Sequence, residues 1–438
     1  MSLLPYVPRL ALRLLRGTAF PLQRPRVEAM QATVLMADVS GFTGLVDQLA
    51  REHGDRGAEQ VQEILNGCFG PLTELVARRG GDVLAFPGDA ALAVWTSEDQ
   101  DPPLDSLVRQ AVECGLELLG SLDRLRVSDS EVRLRLAVGA GRACAALIGG
   151  VDDRWEAVLQ GDPIDQLREA MDLVRPGEVI LSSSAAALVA QSFPGTARGA
   201  HLVISGAGRT SSLPPGPGVP IERSRIDHTG VRSLVSPHVA ARIAAGQGAW
   251  LAEFRTLTVA FVQVPDTAAL GQHTLQQTVE LVQRIASTFG GDISLVIADE
   301  KGLNVVVAFG AADRAHDDDP ARAVRATLDA HAALADLGIA AHIGVATGRV
   351  FAGTIGGQSR LQYTLLGSSV VLAARLAASA RGILCDAPTR TACRRVVRFE
   401  SMPPVALKGK SERIEVWRPC SLKPDGSRSS TGIIGRTA

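Results

Sequence analysis

The chain has no excess of charge of either sign. Its 45 lysines and arginines stand against 46 aspartates and glutamates, a formal net charge of −1. That balance gives no reason to expect nonspecific nucleic-acid binding. Cysteine is sparse and scattered: Cys68, Cys114, Cys144, Cys385, Cys393 and Cys420 contain no CxxC pair. Zinc ligation and a disulfide scaffold are therefore disfavoured, and reduced, mostly buried thiols of a cytoplasmic protein are expected. A bilayer-length apolar run is also missing. The stretch LLPYVPRLALRLLRG is interrupted by Pro5, Pro8, Arg9, Arg13 and Arg16, too short and too charged to span. No small-residue cleavage site of signal-peptide type accompanies it. Leu10, Leu12, Leu14 and Leu15 instead suit a short amphipathic helix packed on the protein body.

What remains is a long, well-filled globular chain. Its 438 residues have room for two or three domains, and 46% apolar content is ample for packed cores. Two aspartates stand out. In VLMADVSGFTGL an apolar strand-like run ends on Asp38, and the small-residue turn Ser40, Gly41, Phe42 and Thr43 leads into an amphipathic stretch. A carboxylate at a strand end, followed by free backbone N–H groups at a helix start, suits a divalent cation held against phosphate oxygens. In GGDVLAFPGDAALAVW, Gly88 and Asp89 occupy a tight turn between two apolar runs, as at a β-hairpin tip. Two carboxylates at one sheet edge suit two magnesium ions and a nucleoside triphosphate. The plainer reading is a pair of turn-forming or capping aspartates.

The chain also repeats itself. VLMADVSGF (34–42) matches VAFVQVPDT (259–267), GGDVLAFPGDAALAVW (80–95) matches GGDISLVIADEKGLNVVVAF (290–309), and GRACAALIGG (141–150) matches GRVFAGTIGG (348–357). Such ordered self-similarity marks two copies of one unit. Between them GAGRTSSLPPGPG (206–218) reads as an exposed linker. Within each half, strands and helical stretches alternate around a hairpin, which predicts a central sheet with helices on one face. The division expected is an amphipathic helical segment over 1–30, a first domain over 31–200, a linker and lead-in helix over 201–255, a second domain over 256–420 and a tail over 421–438.

The aspartate motifs, together with LPYVPRL, VGAGRA and DRWEAVLQGDP, resemble the class III nucleotidyl cyclases, and in particular the soluble adenylyl cyclases with two cyclase homology domains in tandem. The likeness runs from about Leu4 to about Pro419. It implies an α+β fold of two ferredoxin-like βαββαβ domains paired head to tail as an intrachain pseudo-heterodimer, with one catalytic and one degenerate cleft. It implies conversion of ATP to cyclic AMP and pyrophosphate with two Mg2+ or Mn2+ ions. Asp38 and Asp89 would be the metal ligands, with the Val39 carbonyl as a further donor, and the N–H groups of Gly41, Phe42 and Thr43 would cradle phosphate. Arg135 falls where the family has a phosphate-contacting arginine, and Arg133 has the same strand parity. From the second half, Thr364 matches a base contact, Arg375 the transition-state arginine and Lys408 a triphosphate-gripping lysine. For each of these the plainer reading is a solvated strand, helix-flank or turn residue.

Two departures stand out. The base-reading lysine of the family falls on Leu295 and its helix asparagine on Val371, with Ser294 or Lys301 as substitutes under a shifted register. In the mirror cleft Gln263 and Leu303 replace the metal aspartates. Arg168 matches an arginine of the bicarbonate site of some relatives, but Ala85 takes the place of its lysine, which argues against bicarbonate stimulation. A catalytically inactive pseudo-cyclase that senses nucleotide is the competing function, and guanylyl cyclase activity on GTP a lesser one. The expected assembly is a monomeric pseudo-dimer without nucleic-acid partner or membrane span. In such tandem cyclases an ATPase-like regulatory module often follows, and IIGR near the end resembles its first strand. No GxxxxGK[ST] phosphate loop occurs here, so the chain is expected to derive from a longer protein.

Overall fold

The computed structural model describes residues 2–39, 42–54, 57–98, 101–122, 126–127, 130–131, 133–205, 228–246, 252–265, 271–299, 301–311, 314–406 and 413–423. After a 3-10 turn at Leu4–Tyr6, the first half runs α1 (Arg9–Leu14), β1 (Arg26–Val39), α2 (Phe42–His53), α3 (Gly57–Arg78), β2 (Asp82–Ala85), β3 (Ala90–Thr96) and α4 (Leu104–Leu122). A two-stranded ribbon, β4 (Arg126–Val127) and β5 (Ser130–Glu131), precedes β6 (Leu134–Val151) and β7 (Arg154–Gly161). Then come α5 (Asp162–Asp165), α6 (Leu167–Leu173), β8 (Glu178–Leu181), α7 (Ser183–Val189), β9 (Thr196–Arg198) and β10 (His201–Ser205). The second half repeats the plan: α8 (His228–Ser233), α9 (Pro237–Ala244), β11 (Glu253–Val264), α10 (Gln272–Thr288), β12 (Asp292–Asp299), β13 (Gly302–Phe309), α11 (Asp319–Asp336), β14 (His342–Gly356) and β15 (Leu361–Leu366). It closes with α12 (Ser368–Ser379), β16 (Ile383–Cys385), α13 (Ala387–Cys393), β17 (Val397–Val405) and β18 (Ile414–Leu422).

Strand order is the same in both sheets. The first reads β2-β3-β1-β6-β8-β10-β9 with β7 beside β6; the second reads β12-β13-β11-β14-β16-β18-β17 with β15 beside β14. The four antiparallel core strands of each sheet give the expected ferredoxin-like βαββαβ arrangement. Alternation along β1 shows why both faces are covered. Leu35 and Ala37 enter the core beneath α3 and α4, while Val34 and Met36 enter a second core containing α1 and α9. A strand buried on both sides reads as the continuous apolar run seen in the sequence.

The repeated GGD motif has a separate physical reason for each residue. Gly80 and Gly290 adopt left-handed φ of +80° and +77° and end α3 and α10. The next N–H, of Gly81 or Gly291, donates back to Val76 O or Ala286 O at 2.9 and 2.8 Å, a Schellman closure. A Cβ on Gly81 would lie 2.6 Å from Trp95, and one on Gly291 2.8 Å from Phe309, so neither position admits a side chain. The aspartates anchor the two lead-in helices. Asp82 Oδ2 accepts the Leu10 N–H of α1 at 2.9 Å, and Asp292 Oδ2 accepts the Ser236 hydroxyl at the start of α9 at 2.7 Å. Leu10, Leu12, Leu14 and Leu15 are all buried on the body, as their spacing predicts.

The halves clasp each other reciprocally. Gly356 N–H at the end of β14 donates to Asn66 Oδ1 on α3 at 3.1 Å, and Gly149 N–H near the end of β6 donates to Gln276 Oε1 on α10 at 2.8 Å. Asn66 and Gln276 hold the same place relative to their GGD motifs, so the contact obeys a pseudo-two-fold. The head-to-tail pairing expected from the sequence is therefore present. Residues 206–218 and the last residues, 424–438, lie outside the described residues. No described helix is long and apolar enough to cross a membrane.

Candidate functional site

The first half contributes an acidic edge. Asp38 stands next to last in β1, directly across from Ala90 at the start of β3, and the Val39 N–H donates to Asp89 O at 3.1 Å. Gly88 and Asp89 form the turn of the β2–β3 hairpin, with Gly88 at φ +70°, a conformation that only glycine adopts without strain. The two aspartates are thus neighbours at one sheet edge. Asp89 is half-buried and engaged in an interaction of its own.

Arg135 lies across from Asp38 on β6, and its Nε donates to Asp38 Oδ2 at 2.9 Å while Nη2 contacts the same oxygen. The family resemblance implies a phosphate contact for Arg135; here it is an ion-pair partner of the candidate metal ligand. Arg133, expected on the same strand face, precedes β6 and is exposed. Ser40 and Gly41 lie outside the described residues, and of Phe42 and Thr43 only the backbone that opens α2 is described.

The second half brings β15 and α12 to the same side. Thr364 on β15 is 5% exposed and pairs with Gly353. Arg375 is half-buried on α12, one helical turn beyond Val371. Helix α12 packs very closely on β14: a Cβ on Gly344 would collide with Ala373 O, and one on Gly348 with Ser369 Oγ. Small residues at these points set the depth at which Arg375 sits. The start of α12 then meets α2, because Ser368 N–H donates to Asp47 Oδ1 at 3.2 Å. Arg349 Nη1 donates to Ala50 O of the same helix at 3.2 Å. The helix that follows Asp38 therefore abuts the helix that carries Arg375. Lys408 lies outside the described residues.

Sequence reasoning missed Asp47 and the Asn66–Gln276 pair. The repeat offset that aligns the GGD motifs also aligns Asn66 with Gln276, so that signal was present; nothing local marked Asp47.

Register fixes the departures. Ala85 faces Leu92 and Leu295 faces Val306, each just after a bulge, so both hairpins are irregular at the same step and Leu295 is the counterpart of Ala85. Ser294 is the bulge residue, and Lys301 lies in the turn, its N–H donating to Asp299 Oδ1 at 2.8 Å. In the mirror edge Gln263 faces Asn304, just as Asp38 faces Ala90. Gln263 Nε2 donates to Asn304 Oδ1 at 3.1 Å, a buried amide pair where the first half has the Asp38 carboxylate facing Ala90. Ala85 is buried, and Arg168 is exposed on α6.

Among the described residues no group of three or more His, Cys, Asp or Glu side chains converges on a metal position. Two carboxylates nevertheless fit magnesium, which keeps waters and substrate phosphates as its other ligands.

The profile of the adenylate and guanylate cyclase catalytic domain matches residues 26–210 and 319–417, more than half of the chain. Adenylate cyclase type 10 of Rattus norvegicus is 26% identical over 447 aligned residues, covering 92% of this chain and 27% of that protein. Its counterpart in Homo sapiens is 25% identical over 441, covering 90% and 26%. The chain thus spans about a quarter of the length of these relatives. A solved structure of a class III adenylyl cyclase-like ATP-binding protein from Pseudomonas aeruginosa superposes with a TM-score of 0.56, covering 88% of this chain and 91% of that one. At 11% identity this is a likeness of fold.

Proposed function

The chain belongs to the adenylate and guanylate cyclase catalytic-domain family, and from that premise we propose that it converts ATP into cyclic AMP and pyrophosphate in the seam between its halves. The ribose 3′-oxygen forms a bond to the α-phosphorus as the bond to pyrophosphate breaks, and the hydroxyl proton passes to solvent or to pyrophosphate. What supports this reading above all is the junction of α2 with α12. Through it the helix that follows Asp38 in one copy abuts the helix that bears Arg375 in the other.

Asp38 and Asp89, with the Val39 carbonyl, would hold two Mg2+ or Mn2+ ions, which when bound acidify the hydroxyl and neutralise phosphate charge. The N–H groups of Gly41, Phe42 and Thr43 would bind phosphate oxygens. Arg135 moves from Asp38 to phosphate, Lys408 grips the triphosphate, and Thr364 orients the base. Arg375 stabilises the negative charge that grows on the α-phosphoryl oxygens, a contribution of about 10³ or more in rate for an arginine in that role.

A second reading rests on Leu295 and Val371. Leucine cannot donate to a purine and valine cannot hold a ribose, so a pseudo-cyclase that binds ATP as a regulatory signal is favoured by those two positions. Without a base-reading lysine, GTP is the lesser alternative substrate. The deciding experiment incubates purified protein with ATP or GTP and manganese beside an Asp38→Ala control. Cyclic nucleotide above the control supports the enzyme. Metal-dependent ATP binding with no product supports the pseudo-cyclase.

A further inference from the structure

A cavity of about 120 Å³ lies in the seam between the halves, beneath the lead-in helix α9. It adjoins both clefts described above, because Leu295 of one and Ala85 of the other stand in its wall. Asp38, Asp89, Gln263 and Leu303 do not line it. Glu253 and Arg255 do, at the opposite end of β11 from Gln263. Ten residues of strand separate Glu253 from Gln263, roughly 30 Å at about 3.3 Å per residue.

Pseudo-symmetry shows what this cavity lacks. Arg360 directly precedes β15, and Arg154 opens β7, each one residue before the first regular pair of its hairpin with β14 or β6. The two arginines are counterparts. Arg360 is 5% exposed and richly bonded: Nε donates to Val83 O at 2.9 Å, Nη2 to Leu84 O at 3.2 Å, and Nη1 to Tyr6 O at 3.0 Å and Pro5 O at 3.4 Å. The peptide ahead of α1 thus supplies the carbonyls that complete the first junction. At the second junction Arg154 Nε donates to Glu156 Oε1 at 2.9 Å, but its Nη1 is buried with no acceptor. Buried donors are nearly always satisfied in folded proteins. Arg154 Nη1 thus has no counterpart of the Pro5 and Tyr6 carbonyls that complete Arg360, and Arg154 lines the cavity as well as a neighbouring pocket beside Phe20 and Arg232.

We propose that this cavity is a binding site for a small aliphatic carbonyl compound, a carboxamide or carboxylate, whose oxygen accepts from Arg154. Its apolar body would rest against Val239, Leu257, Leu295 and Tyr363. An apolar cavity of about 150 Å³ holds benzene, so this one suits about five or six non-hydrogen atoms. Both copies supply walls, Arg154 and Glu156 from the first and Asp292 and Leu295 from the second, so an occupant bridges the halves. The site stands whether or not the chain turns over ATP.

The test is a titration of the full chain with isobutyramide, isobutyrate and isobutylamine, read by saturation-transfer NMR. Isobutyramide or isobutyrate should bind saturably, at least ten-fold more tightly than the amine, which carries no acceptor. The arm that binds more tightly identifies the charge of the natural group. Ala157→Leu, which fills the cavity, should abolish binding, and Arg154→Lys should weaken it at least ten-fold, with circular dichroism confirming that each variant folds. The proposal is overturned by an absence of saturable binding, by preference for the amine, or by affinities unchanged in both variants.

Discussion

Arg135 and Asp38 face each other across adjacent strands, with Nε of the arginine 2.9 Å from Oδ2 of the aspartate. A cation already sits on the carboxylate proposed to hold metal. Arg135→Gln should therefore raise the affinity for Mn2+ while weakening ATP binding. Partly exposed ion pairs contribute about 0–1 kcal/mol, so the gain in metal affinity should not exceed roughly five-fold. Electron paramagnetic resonance titration of free Mn2+ measures it, and weaker Mn2+ binding in the variant would refute a competing role for Arg135.

Leu295 occupies the hairpin position equivalent to Ala85, and Val371 lies one turn before Arg375 on α12. An oriented hydrogen bond missing from such a point costs about 1–3 kcal/mol. The double substitution Leu295→Lys with Val371→Asn should raise the rate of cyclic AMP formation by about ten-fold or more. An unchanged rate would show that these two positions do not limit turnover.

The clasp between halves is testable by stability. Asn66 accepts one hydrogen bond from Gly356, whereas Gln276 both accepts from the Gly149 N–H and donates to its carbonyl, at 2.8 and 2.7 Å. Gln276→Ala should cost more than Asn66→Ala, about 1–3 kcal/mol where a buried partner is left unsatisfied. The two effects should add, since the positions share no partner. Urea midpoints of the single and double variants provide the measurement; equal effects would mean that solvent replaces both hydrogen-bonded pairs.

Burial pushes the Asp82 carboxyl above the ordinary aspartate value of 3.8, against the opposing influence of the Leu10 N–H and Arg360. Arg360 is itself lowered by burial, to about 10, and stays charged at neutral pH. A raised acid contributes stability that is fully present below 3.8 and is lost as pH rises through the folded-state value. Asp82→Asn keeps an acceptor for Leu10 without the buried charge. Its stability relative to the parent should therefore improve between about pH 4 and pH 7 in urea denaturation. A relative decrease over that interval would mean that attraction to Arg360 outweighs burial.

The sequence by itself determined the two copies, a sheet with covering helices in each, and the placement of Asp38 and Asp89 at strand end and hairpin tip, while the family resemblance sharpened the plan to βαββαβ. Those features are local: apolar runs, glycine turns and motifs that recur in the same order in each half. It also located the degenerate edge, because Gln263 and Leu303 are read directly from the aligned motifs. Only the tertiary structure decided what meets across the seam. That Asp47 holds the start of α12, and that Arg360 is completed by the peptide before α1 while Arg154 is not, both depend on how two twisted sheets dock. Residues hundreds of positions apart come within hydrogen-bond reach there, and no periodicity or composition along the chain carries that distance.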